Sequence, residues 1–158
     1  ENAPAPFNIC QALSGRSKCR ECGQVIAKSA WRVGANRTFR GRSETGWSHV
    51  ECFLLAIKAT FRARSGRSRG SGAAFKKGDL CVILSVGDIQ SSWFPSEAAR
   101  WTKSAASGLS SGEAQGVQDK LISKGSGIWG CAGRKLSRGD VVALVGKLLG
   151  EPQGGDLR

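Results

Sequence analysis

Four residues of the kind that grip metal stand in two matched pairs. Cys19 and Cys22 are separated by two residues, and His49, the single histidine of the chain, is separated from Cys52 by the same two. Three thiolates and one imidazole form a nitrogen and sulfur set that fills a tetrahedral zinc shell, with no position left open for water or substrate. One structural zinc ion is expected, folding the chain around itself rather than catalysing. Nucleophilic Cys–His chemistry fails on the same residues, because the sole histidine is committed to metal and no free imidazole remains to act as base.

A Cys-x2-Cys pair requires a tight loop, and the His49/Cys52 pair stands at the head of an apolar stripe. Val50, Phe53, Leu54, Ile57 and Phe61 recur at helical offsets, so the spacing predicts one amphipathic helix that carries two ligands and runs on through Phe61.

The residues between the ligands narrow the reading. Ser14-Gly15-Arg16-Ser17-Lys18-Cys19-Arg20-Glu21-Cys22 is followed by Ile26-Ala27-Lys28, by Trp31-Arg32-Val33, and by Trp47-Ser48-His49-Val50-Glu51-Cys52-Phe53. Over residues 10–62 this pattern resembles the poly(ADP-ribose) polymerase type (PARP-type) zinc finger, a family also found at the front of a DNA ligase and of a plant DNA phosphoesterase. The resemblance implies a small α+β zinc-binding domain, a CCHC finger of short antiparallel strands closed by a C-terminal helix. It also implies a nuclear protein that recognises DNA nicks and ends through backbone and exposed base stacks. By position, Arg16 and Arg32 match the family's phosphate-contacting arginines. Phe39-Arg40-Gly41-Arg42 resembles the loop whose apolar residue stacks on an opened base pair, which makes Phe39 the wedge. The chain departs from the family in a slightly shorter stretch between Arg32 and Trp47 and in a serine at the second apolar stacking position.

Charge supports such a use independently. Between Arg16 and Arg42 there are six arginines and two lysines, and the guanidinium fork suits phosphate oxygens. An aromatic among arginines can stack on any unpaired base. The nucleic-acid set that the resemblance implies, and that this charge supports, is Arg16, Lys18, Arg32, Phe39, Arg40 and Arg42. The formal net charge is +12, with +9 in residues 1–74 and +3 in 75–158. A field of this sign favours polyanions, whether DNA, RNA or an anionic surface.

Four segments follow from composition: a finger over 1–63, an Arg/Ser/Gly-rich linker over 64–74, a second α+β region without metal over 75–150, and a tail over 151–158. No apolar run approaches the length a bilayer needs. Cys10, Cys81 and Cys131 are left over from the zinc set, an odd remainder that argues against a disulfide scaffold. Cys81, in the apolar run Leu80 to Leu84, and Cys131, beside Trp129, read as packed thiols, and Trp93, Trp101 and Trp129 as core anchors. The sequence contains no methionine, so a processed form from a mitochondrion or other organelle is an alternative to the nucleus.

The second region reads as a worn copy of the first. Phe75 to Val82 parallels Ile26 to Val33, and Trp93-Phe94-Pro95-Ser96-Glu97-Ala98 parallels Trp47 to Cys52, with Pro95 and Ala98 in place of ligands. A degenerate, metal-free, finger-like repeat over 75–106 is expected, with a helix starting after Pro95. Ser110 and Glu113 form a capping box ahead of Val117, Leu121 and Ile122, which predicts a further helix. Leu136 to Val142 echoes the strand pattern, and a strand over 140–145 is expected there, against a rival helical spacing of Val141, Leu144, Val145 and Leu148. Gly125-x-Gly127-x-x-Gly130 has the letters of a dinucleotide fingerprint without the strand before and helix after that the motif requires. No carboxylate pair is set up for acid and base roles, so the chain reads as no enzyme. Two functions remain. One is a nucleic-acid module that recognises DNA nicks and ends. The alternative is an RNA- and protein-binding subunit of a large ribonucleoprotein such as a mitochondrial ribosome, docked on neighbouring proteins.

Overall fold

A computed structural model describes residues 7–131 and 133–150, except for the side chains of residues 37–39; the tail assigned to 151–158 lies outside the described residues. The fold is α+β with short antiparallel sheets. Strands β1 (Phe7–Gln11), β2 (Trp31–Phe39) and β3 (Arg42–His49) form the first sheet, and β3 runs directly into helix α1 (Val50–Leu55). The β2–β3 hairpin closes at Arg40 and Gly41, whose φ values of 54° and 79° are the two positive angles that a type I′ turn requires. Strand β4 (Lys58–Phe61) leads into a small hairpin of β5 (Gly66–Arg67) and β6 (Ala74–Phe75). β7 (Leu80–Val86) then pairs with β4 on one side and with β8 (Ile89–Trp93) on the other. Helices α2 (Pro95–Ala106) and α3 (Ser111–Gly125), a ribbon of β9 (Gly130–Cys131) and β10 (Arg134–Lys135), and α4 (Arg138–Leu149) complete the chain.

Several expectations change here. The helix through Phe61 ends at Leu55, and Lys58–Phe61 form strand instead. Ile57 and Ala59 are buried with Lys58 exposed between them, an alternation of period two that suits pairing with β7. The strand expected over 140–145 is helix. Ser137 accepts from the Asp140 amide while Asp140 accepts from the Ser137 amide, and this capping box starts a helix whose Val141, Leu144, Val145 and Leu148 are all buried. The capping box at Ser110 and Glu113 starts α3 as predicted, and α2 begins at Pro95.

Hairpin followed by helix occurs twice, as β2–β3–α1 and as β7–β8–α2. The registers differ by one residue against the sequence parallel, since Trp47 pairs with Gly34 but Trp93 with Val82. That slip turns Trp93 inward, where it is fully buried, while Trp47 is half-buried. The largest cluster of buried apolar residues draws Phe7, Val33, Phe53 and Leu54 from the front together with Val82, Trp93, Leu121 and Leu148 from the rear. Phe7 stacks on Trp93 at 5.8 Å between ring centroids and meets Trp101 edge-on at 5.6 Å. Trp93 and Trp129 are buried and Trp101 packs against the same cluster, as expected of core anchors. Cys81 is buried, but Cys131 is exposed on the short β9 ribbon and does not pack inside. Residues 125–130 leave α3 for that ribbon rather than opening a helix. Among the described residues, no helix is long and apolar enough to cross a membrane.

Candidate metal centre

The site is assembled from three places in the chain. Cys19 and Cys22 lie in a loop folded back by Cys19 N–H to Gln24 O and Gly23 N–H to Cys19 O, at 2.8 and 2.9 Å. His49 ends β3 and stands at the N-cap of α1, and Cys52 lies in the first turn of that helix. His49 makes no side-chain cap bond, because its ring is turned to the thiols. Its Nδ1 is 3.4 Å from Cys22 Sγ and 3.7 Å from Cys52 Sγ. Its Nε2 is 3.3 Å from the Val25 carbonyl oxygen. A carbonyl can only accept, so Nε2 carries the proton and the Nδ1 lone pair faces the sulfurs, the tautomer a metal ligand needs.

All four donor atoms lie within 4.8 Å of one another. The edge of a zinc–sulfur tetrahedron is about 3.7 Å for bonds of about 2.3 Å, so a small contraction closes the shell. Cys19 is the buried corner, 2% exposed, and the amides of Glu21 and His49 donate to its sulfur at 3.3 and 3.4 Å. Burial pushes the Cys19 thiol up, but backbone N–H groups of Cys22, His49 and Glu21 outweigh it and hold the pKa down at about 6. Burial first, and then the thiolate of Cys19, push Cys52 up to about 12. A second negative charge beside the first is unfavourable without a cation, and a divalent ion removes that conflict. The donor set, its spacing and the histidine tautomer all fit one tetrahedral ion held by Cys19, Cys22, His49 and Cys52.

The expected nucleic-acid residues are placed unevenly. Arg16 and Lys18 are exposed on the metal loop. Arg32 is not presented to solvent. It is only 8% exposed, its guanidinium lies 3.6 Å from the centroid of the Trp47 ring, and Nη1 donates to Ser17 Oγ at 2.8 Å. Trp47 can lie flat there because its partner across the hairpin is Gly34, where a Cβ would come within 2.6 Å of the ring. Arg32 thus pins Ser17, and with it the segment that displays Arg16 and Lys18. No role for Ser17 or Trp47 is read from the sequence; the signal there is a glycine two residues past Arg32, opposite a tryptophan in the same hairpin. Arg40 and Arg42 are exposed at the hairpin tip, and Phe39 is the last residue of β2, paired with Arg42, with its side chain outside the described residues. Seven residue steps separate that tip pair from Arg32↔His49, roughly 23 Å at strand rise. The Cys3His cluster and the hairpin tip are therefore well apart.

The metal loop also touches the rear hairpin. Gly87 N–H donates to Glu21 Oε2 at 2.8 Å, and Arg20 reaches Asp88 at 3.8 Å across the same turn.

Over 58 residues this chain is 38% identical to Poly [ADP-ribose] polymerase 1 of Caenorhabditis elegans. The similarity covers 35% of this chain and 6% of that protein. No family model matches the chain. A stretch of that size corresponds to a small module of a much longer protein, and it fits a zinc-finger segment together with the Cys19, Cys22, His49 and Cys52 cluster.

Proposed function

We propose that this chain is a zinc-dependent module of the PARP-type finger kind that binds nucleic acid by its structure rather than its sequence, with nicked or broken DNA as the preferred form. The observation that carries the reading is the Cys3His donor cluster next in the chain to a segment that displays Arg16 and Lys18 to solvent. Zinc, chosen by three sulfurs and one nitrogen in tetrahedral reach, supplies folding free energy and no open coordination position. Arg16 and Lys18 bind phosphate oxygens. Arg32 acts as a positioning residue through Ser17. At the far end of the hairpin Arg40 and Arg42 add cations, and Phe39 stacks on a base that a break has exposed, at about 1–3 kcal/mol per base. A nuclear location accompanies this reading, and no catalytic step is part of it.

Binding of the zinc-loaded protein to nicked duplex, intact duplex and structured RNA at matched salt tests the proposal. Tighter binding to the nick, lost on Arg16→Ala, is the expected result. Equal binding to all three, or a preference for RNA, refutes break recognition and favours a ribonucleoprotein role.

A further inference from the structure

Residues 62–77 contain six cations, Arg62, Arg64, Arg67, Arg69, Lys76 and Lys77, and no carboxylate. Their Arg/Ser/Gly composition is that of a flexible linker, yet the structure folds them. Gly66 and Arg67 pair with Phe75 and Ala74. Ser68 is buried; its amide donates to Ala73 O at 2.9 Å and its hydroxyl to Glu97 of α2. The Arg69 amide donates to Ser92 O at 2.8 Å, tying the turn to β8. Two of the arginines serve the fold. Arg62 lies over the Phe75 ring and donates to the carbonyls of Arg64 and Ser65, both at 3.1 Å, while Arg67 donates to Gly72 O at 2.9 Å. Arg64, Arg69, Lys76 and Lys77 are exposed, and no carboxylate pairs with their side chains among the described residues.

The Glu97 and Asp79 carboxylates accept from the Ser68 hydroxyl and the Lys76 amide, so they offset the four exposed cations only in part, and these repel one another. What the order does supply is a backbone that holds the charges in place before binding and so lowers the entropy cost of taking up a polyanion. We infer that the 62–77 hairpin is a second phosphate-binding surface, separate from the metal loop, that holds the backbone of a nucleic acid through Arg64, Arg69, Lys76 and Lys77. Guanidinium groups match phosphate oxygens bidentately. An anionic membrane is the poorer match, because the one large apolar residue of the segment, Phe75, is buried against Phe94 and the segment has no other to insert into lipid.

The test uses the full zinc-loaded chain with three probes, an intact DNA duplex, an RNA hairpin and phosphatidylserine vesicles. The slope of log affinity against log salt counts neutralised phosphates, at about 0.9 per contact on duplex DNA. Arg64→Ala combined with Arg69→Ala should lower that slope by about 1.8 while melting temperature and zinc content stay unchanged. Ser68→Ala removes no cation and should still weaken binding about threefold or more by loosening the hairpin. The response of DNA against that of RNA identifies the natural phosphate source. An unchanged slope in the double variant overturns the inference, as does binding to vesicles alone. If Arg16→Ala lowers the slope and the double variant does not, the metal-loop proposal stands and this one falls. If the double variant lowers it while nick preference is absent, the reverse holds.

Discussion

Arg32→Ala separates two uses of one arginine. In the structure the side chain is all but enclosed, stacked on Trp47 at 3.6 Å and bonded to Ser17 at 2.8 Å. A desolvated cation–π contact contributes up to about 2 kcal/mol, and a hydrogen bond from a charged donor about 1.5–3 kcal/mol. Against these stands the buried Nε, which meets no acceptor among the described residues and costs about 1–3 kcal/mol. The net loss on truncation is about 2 kcal/mol, or roughly 4–8 °C in melting temperature for a chain of this size. The assay is thermal unfolding of zinc-loaded protein, run beside nucleic-acid binding at two salt concentrations. Arg32→Lys, which keeps the charge but loses the planar stack and the fork, should recover less than half of the loss. A variant that melts like the wild type and loses only phosphate affinity would refute the enclosed geometry and return Arg32 to direct contact.

Cys22→Ala should release the metal and unfold the first sheet, read by zinc content and circular dichroism, because a structural ion carries the folding free energy of its loop; a variant that keeps both metal and helix content contradicts the ligand set. Metal affinity should fall as pH falls. Ion entry expels the proton of Cys52, whose pKa stands at about 12 without metal, and below about pH 6 that of Cys19 as well, so the pH slope steepens below that point; a pH-independent affinity would show that thiolates are not the ligands. Phe39→Ala should reduce affinity for nicked DNA by roughly tenfold, the equivalent of one lost stack, and leave intact duplex unchanged, whereas equal losses on both would assign Phe39 to packing. Leu148→Ala, at a fully buried position on α4, should cost about 2–5 kcal/mol in denaturant unfolding, and a loss under 1 kcal/mol would argue against the helix that replaces the expected strand.

The clustering of Cys19, Cys22, His49 and Cys52 was legible because metal geometry fixes both residue type and spacing. Capping boxes were legible at Ser110 for the same local reason. At Ser137 the same signal was outvoted by a resemblance to a strand-forming stretch, although hydrogen bonding to the first-turn amides decides helix starts locally. Phe61 fitted a helical stripe by arithmetic, yet β4 takes it, because pairing with β7 is a contact to residues about 20 positions away that no local period records. The enclosure of Arg32 was hidden for a related reason. A charge reads as surface until a cross-strand glycine opens room for an aromatic to cover it. The hairpin at 66–75 was hidden by composition, since the contacts that order it, Ser68 to Glu97 and Arg69 to Ser92, are also remote in sequence.

Phe7 belongs to the sheet that carries His49 of the candidate metal site, and its ring rests on Trp93 and Trp101 of the rear half. A finger joined to its neighbour by an open tether could be transplanted, duplicated or swivelled freely. Here a chain cut after residue 63 would leave the inner faces of Phe7, Phe53 and Leu54 bare to water. The shared core also leaves no separate hinge between the halves among the described residues, so the metal loop and the helices α3 and α4 belong to one packed body. A push on the metal loop is therefore passed through that one core to α3 and α4, and the two halves resist separation together.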